Sequence, residues 1–277
     1  MAMPQARHFD DGFRSRTSLA SDVDARSDQE SKSEDCAEST LRSVCDERAL
    51  ERFMSALMRG DRVAARNAAF DPISTGATAS FVLEHLIWPA VSALDGWSRR
   101  DQISAVHQHC ATLLLAQIAR SLEDRLSARP SRGCMMLITS GQKPLEELAG
   151  LIFAGLAEAD GYEVLFLGGG VESDDAFAEI GARTPDLVVC FAAAGGDAAR
   201  LRRLLTALRE QKPVPGLRVA VGGGVFGRAP GLAEELGINL EGTSPFDLLR
   251  AIRAASPSGR RDSAPAAPRR RRSAKAA

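Results

Sequence analysis

The sequence changes its hydrophobic period once, between Pro130 and Gly133, and this limits the fold more than any motif does. Ahead of the change, Leu50, Phe53, Met54, Leu57 and Met58 recur at helical spacing from about Arg48. GDRVAARNAAF supplies a turn and a second short helix. ASFVLEHLIWPAVSALDGW reads as a third, in which Pro89 should kink or offset the axis, and ISAVHQHCATLLLAQIARSLEDRL as a fourth. Four short helices with apolar faces predict a small bundle. Behind the change, CMMLIT, EVLFLG, DLVVCFAA, LRVAVGG and a weaker INLE are short apolar runs. Between or after them lie helical segments: PLEELAGLIFAGLAEADG, ESDDAFAEIGARTP, GDAARLRRLLTALREQ, APGLAEELG and SPFDLLRAIRAA. Strands that are apolar throughout have both faces covered, so the alternation predicts a doubly wound, five-stranded parallel sheet of flavodoxin-like or Rossmann-like type. The expected class is α/β, with a four-helix bundle at 46–128 and the α/β domain at 133–256.

Residues 1–45 are rich in Ser, Asp, Arg and Glu without apolar periodicity and read as a disordered leader; residues 257–277 read as a disordered basic tail. Seven of the 35 Lys and Arg, but one of the 36 Asp and Glu, fall in 259–277, so the tail carries +6 and the rest of the chain −7. Such a tail is either a solubilising end or an arm that gives weak, nonspecific contact with nucleic acid or an acidic partner. No run approaches the roughly 18 apolar residues of a spanning helix, and MAMPQARHFDDGFRSR carries charge where a signal peptide needs its apolar run, so a cytoplasmic protein with no membrane association is expected. The five cysteines form no C-x-x-C pair and suggest small buried hydrophobes rather than disulfides or a zinc site.

Ligands of doubly wound sheets bind outside the carboxyl ends of the strands, which singles out the loops Ser140–Glu147, Gly168–Val171, Ala192–Gly196 and Gly222–Gly227. None is a nucleotide fingerprint: GGGVFG lacks the Lys-Ser/Thr of a P-loop, and SGQKP follows the first strand in place of G-x-G-x-x-G. The clusters beginning at Gly168-Gly169 and at Gly222-Gly223 read as a ligand crevice at adjacent strand ends, with Gly242 opening a further loop, because a residue without Cβ lets backbone approach a flat ring closely.

A helical bundle followed by a five-stranded parallel domain resembles the cobalamin-binding module over about residues 48–256. DGWSRRDQISAVHQHCATLLL resembles the W-x9-E-H signature of light-sensing cobalamin repressors and their relatives, with Trp97 as the Trp, Gln108-His109 in place of Glu-His and one extra loop residue between them. The resemblance implies that Trp97 and His109 face the upper side of a corrin held between bundle and sheet, with His109 as the metal donor and His107 as its alternative. GYEVLFLG looks like the family's second strand and VAVGGG like its fourth. The family's D-x-H-x-x-G segment, which supplies the lower axial His, falls on Pro144, Glu146 and Ala149, and no His follows His109. The third-strand Ser is also absent from Val188–Ala194.

A carboxylate is a poor substitute for imidazole at cobalt, so a bound cobalamin would keep its own base, take water below, or be ligated from the cap. This departure resembles a group of photosynthesis antirepressors that lack the usual His and act on a repressor. The expectation is therefore a non-enzymatic sensor of light or redox state. It would bind adenosyl-, methyl- or hydroxocobalamin, or else haem, and regulate transcription through a repressor or other regulatory protein, with a homo-oligomer as one expected state. A corrinoid methyl carrier, or a scaffold that binds no cofactor, are the alternatives. The bland readings are that Glu146 and Glu147 serve the helix macrodipole, that Trp97 fills core, that the histidines are solvent-edge residues and that the glycines only make turns.

Overall fold

The structure, a computed structural model, describes residues 45–193 and 195–255. The predicted tail, and the predicted leader apart from Cys45, lie outside these residues. The chain divides into two units, Met1–Ser127 and Ala128–Ala277.

The first unit is helical. Its elements are α1 (Glu47–Met58), α2 (Arg62–Ser74), α3 (Ala79–Val82), a π-helical turn (Leu83–Ile87), α4 (Trp88–Arg99) and α5 (Ala105–Glu123). Asp46 caps α1 by accepting from the Ala49 amide at 2.8 Å, and Asp61 caps α2 through the Ala64 amide at 3.0 Å; each such cap contributes about 1 kcal/mol. The offset expected at Pro89 takes the form of the π turn. Proline removes one helical N–H and its ring crowds the carbonyl four residues earlier, so the extra residue in the turn before it relieves the clash. Leu83, Leu86 and Ile87 of that turn pack in the core with Phe53, Leu57, Leu94, Leu115 and Leu122. Each contributes about 1.5–3 kcal/mol by leaving water. Helix α2 runs past the expected end of the second helix and takes Pro72 into its last turns.

The second unit is α/β. Its elements are β1 (Met135–Thr139), α6 (Pro144–Ala159), β2 (Glu163–Gly168), α7 (Ser173–Arg183), β3 (Leu187–Phe191) and α8 (Gly195–Gln211). There follow β4 (Arg218–Gly222), α9 (Gly224–Arg228), α10 (Leu232–Glu235), β5 (Glu241–Gly242) and α11 (Pro245–Ala255). All strands pair in parallel in the order β2-β1-β3-β4-β5, the flavodoxin-like order. Central β3 is buried at every residue, as its unbroken apolar run requires. Helices α7 and α8 pack against each other over a cluster that includes Val188, Cys190, Leu201 and Leu204. Helices α6 and α11 pack together as a second pair, and there the Phe153 and Phe191 rings meet at 5.3 Å.

The strand order corrects one expectation. The Gly168 and Gly222 clusters close β2 and β4, which stand two strands apart with β1 and β3 between them. Only Gly222 and Gly242 are direct neighbours, paired across β4 and β5. A register shift between Ile138 and Thr139 skips Leu167, so that Thr139 pairs with Gly168 and the end of β2 bends away from the ladder.

Candidate functional site

The chain leaves β1 and β3 toward opposite sides of the sheet, which makes their carboxyl ends the topological switch point. A crevice of about 40 Å³ lies there, and Thr139, Ser173, Cys190, Asp197 and Arg200 are among the residues that line it. Asp197 is tied in place: its Oδ2 accepts from the Ala193 amide at 3.1 Å and its Oδ1 pairs with Arg200 at 3.3 Å. Arg200 also donates to the Val171 carbonyl at 3.4 Å, so the loops after β2 and β3 are latched together. Burial pushes the Cys190 thiol up to about 11 against the opposing hydrogen bond with Thr139. At that value the thiol is protonated at neutral pH. The sequence reading missed Asp197 and Arg200, because an Asp in the first turn of a helix looks like macrodipole chemistry alone.

The segment that aligns with the missing D-x-H-x-x-G is not a loop. The loop after β1 is Ser140–Lys143, and Pro144, Glu146 and Ala149 stand in the opening turns of α6. The Glu146 carboxylate reaches back to accept from the Lys143 amide at 3.1 Å, half of a capping box. Burial raises its pKa above the ordinary carboxylate value, with the Lys143 hydrogen bond opposing and nearby Asp197 adding to the rise. Both carboxylates crowd Gly141: a Cβ there would sit 2.7 Å from Glu146 Oε2 and 3.0 Å from Asp197 Oδ2. Ser140 is buried at the end of β1, with no partner for its hydroxyl among the described residues. Its Cβ faces Gly150 of α6.

The glycines singled out for a ligand are occupied by the protein's own chain. A Cβ on Gly169 would lie 2.2 Å from the Gly141 carbonyl oxygen, and one on Gly168 2.6 Å from Glu147 Oε1. Gly223, at φ +109°, would meet the Ala192 carbonyl oxygen at 2.3 Å. A Cβ on Gly222 or Gly242 would lie 2.9 Å or 2.5 Å from Leu248 of α11. The expected loop Gly222–Gly227 is largely a strand end followed by the short helix α9.

The helical unit differs. The Ser98 hydroxyl donates to Gln108 Oε1 at 2.8 Å and so holds the end of α4 against the start of α5. This brings half-buried Trp97 and the Gln108-His109 pair to one end of the bundle. Ser104 caps α5 by accepting from the His107 amide at 3.3 Å, and its hydroxyl also bonds His107 Nδ1 at 2.7 Å. His109 is exposed and carries no hydrogen bond or ion pair among the described residues, so both ring nitrogens are available. Helical spacing alone groups Ile103, Val106, Cys110 and Leu114 on one face; of these only Leu114 is buried on α5. The buried face of α5 is Ala111, Leu114, Leu115, Ile118 and Leu122, while Val106 is 71% exposed and Cys110 is exposed. Ile103 precedes the cap and forms no part of the helix. Among the described residues no three His, Cys, Asp or Glu side chains cluster as a metal site, and no helix is long and apolar enough to cross a membrane.

No protein-family model matches the chain, and a search of curated protein sequences gives no match. Among solved structures it is similar to the monomethylamine corrinoid protein of Methanosarcina barkeri, with a TM-score of 0.63 at 12% identity over 74% of this chain and 97% of that one. This likeness shows the fold. Looser likenesses, each with a TM-score of 0.40, link it to a cobalamin-binding protein from Desulfitobacterium hafniense DCB-2 and to the methanol:cobalamin methyltransferase complex MtaBC from Methanosarcina barkeri. The first is 16% identical over 74% of this chain and 97% of that one; the second is 14% identical over 76% and 81%.

The residues present fit a corrinoid in part. An exposed imidazole without a hydrogen-bond partner, as at His109, is suited to metal ligation. In the α/β unit the four histidines of the sequence contribute none, since the last is His109, and Gly168, Gly169, Gly222, Gly223 and Gly242 face the protein's own chain.

Proposed function

We propose that the chain binds a corrinoid through a nitrogen donor on its helical unit and serves as a non-catalytic sensor of ligand, light or redox state. The observation that carries this reading is the exposed His109, with no hydrogen bond or ion pair among the described residues, on the helix whose start is tied to the Trp97-bearing end of α4, in a chain with the fold of a corrinoid protein. His109 would be the donor, with His107, whose Nδ1 bonds Ser104 and whose Nε2 is open, as the alternative; Trp97 would stack on the ring edge. A bound corrinoid would supply a metal with exchangeable ligands, held by the His109 imidazole. The protein's own part would be to present that imidazole, while the Cys190 thiol stays protonated and buried. Titration with adenosyl-, methyl- and hydroxocobalamin and with haemin, followed by absorbance and calorimetry, tests the reading. Saturable binding of at least one is expected, and no saturable binding of any of them overturns it.

The output would pass to a transcriptional repressor or other regulatory protein. The arginines of 260–272 would add only salt-sensitive, sequence-independent contact with nucleic acid. A chain ending at Ala255 should keep its cofactor and a partner repressor in pull-down while losing nonspecific DNA affinity. A footprint on a defined operator that survives this truncation would contradict it. The likeness to a monomethylamine corrinoid protein also favours a methyl carrier, but that reading needs a lower donor where this chain has Glu146 engaged in a helix cap.

A further inference from the structure

At the amino ends of the strands, away from the switch point, a cavity of about 610 Å³ opens beside β4. Its apolar walls come from Leu205 and Leu208 of α8, Val219 of β4, and Ile238 and Leu240 of the segment that enters β5. Arg209, Lys212 and Arg218 are its charged residues, and no Asp or Glu lines it. Its position follows from an incomplete ladder. Strand β4 pairs with β3 along its whole length, Arg218–Gly222, but with β5 only at Val221 and Gly222. On the β5 side the Val221 amide donates to the Leu240 carbonyl at 2.9 Å. Two residues earlier, Val219 presents its N–H and C=O to the same side, where no strand stands beside it among the described residues. The groove is therefore an open strand edge with an apolar floor and a cationic rim.

We propose that this groove takes an extended, acidic peptide segment of a partner protein, added in parallel or antiparallel beside the first half of β4. Backbone hydrogen bonds to Val219 would supply affinity, alternate apolar side chains would enter the cavity, and the intervening carboxylates would meet Lys212, Arg209 and Arg218. Charge selects among the occupants. The Arg-rich tail is repelled by these three cations, and a second copy laying its own β4 edge alongside would set like charges together, the usual device by which edge strands resist self-pairing. An acidic strand gains from the same charges. This surface shares no residue with the cofactor site proposed above and stands or falls without it.

The test uses the full chain and a fluorescein-labelled octapeptide of alternating Glu and Val, with the Lys-Val octapeptide as control. Saturable binding of the acidic peptide by anisotropy is expected, with no binding of the basic one and slowed amide exchange at Val219. Lys212→Glu changes an exposed rim charge and should weaken binding by about tenfold without altering the circular dichroism. The proposal is overturned by no binding of the acidic peptide, by equal binding of the basic one, or by unchanged affinity in Lys212→Glu. It is also overturned if deleting residues 1–44 raises affinity by about tenfold, since the chain's own leader would then be the occupant. Peptide-reversible dimers of the chain would overturn it in favour of a second copy.

Discussion

The two units treat their polar and glycine residues in opposite ways. At the end of the helical unit His109 and Trp97 stand accessible, positioned by one side-chain hydrogen bond between Ser98 and Gln108. In the α/β unit the loops at the carboxyl strand ends are spent on the protein itself: Asp197 on Ala193 and Arg200, Glu146 on its helix cap, and Gly169 and Gly223 on the close passage of neighbouring carbonyls. A reader guided by fold alone would look for chemistry in the second unit. The side chains put the available donor in the first.

The contrast can be broken most severely at Gly223. An alanine there must find room against a carbonyl oxygen at 2.3 Å while held at φ +109°, so Gly223→Ala should cost about 3 kcal/mol or more. Gly231→Ala, at φ +89° with nothing within 4 Å, should cost only about 1 kcal/mol. Both tryptophans lie in the helical unit, so urea unfolding followed by Trp fluorescence and by far-UV circular dichroism separates the units. Gly223→Ala should shift the dichroism transition and leave the fluorescence transition in place. A smaller effect is expected at Asp160, whose buried carboxylate receives Arg129, Arg132 and Arg253 at 2.8–2.9 Å and ties the start of the α/β unit to α11. Asp160→Asn should cost about 2 kcal/mol, less than a fully buried pair because the arginines reach solvent, and the dichroism transition again reports it.

A weaker effect should follow pH. The folded pKa of Glu146 is raised above its unfolded value, so the native state holds the proton longer and stability falls as pH rises from the ordinary carboxylate value through the raised one. Glu146→Gln keeps an acceptor for the Lys143 amide and should flatten that fall, as measured by urea midpoints at a series of pH values. A slope unchanged by the substitution would show that the buried carboxylate is not its source. His109→Ala should have the smallest effect on stability, within about 0.5 kcal/mol, because the ring touches nothing that holds the fold. A larger loss in the fluorescence transition would mean that His109 is structural.

The α/β architecture was legible because unbroken apolar runs and a change of period have one economical packing solution. The strand order was not, since period carries no information on which strands neighbour one another; hence Gly168 and Gly222 were wrongly placed side by side. The inner face of α5 was not legible from apolar spacing: Val106 and Cys110 lie within the helix but off the face of Ala111, Leu114, Leu115, Ile118 and Leu122, and Ile103 stands ahead of the Ser104 cap. Asp197, Arg200 and the open edge of β4 depend on contacts between segments distant in sequence, and no local spacing encodes them. The Trp97 and His109 spacing was legible in the sequence; what the structure adds is the Ser98–Gln108 hydrogen bond, which ties the neighbouring residues of α4 and α5.

The central claim is that any metal-ring cofactor is ligated by His109 of the helical unit and by nothing in the α/β unit. Absorbance spectra of the full chain with hydroxocobalamin, compared with His109→Ala, His107→Ala and Glu146→Gln, test it most directly. The nitrogen-ligated spectrum should be lost in His109→Ala and retained in the other two. An unchanged spectrum in both histidine variants, or its loss in Glu146→Gln alone, would contradict it.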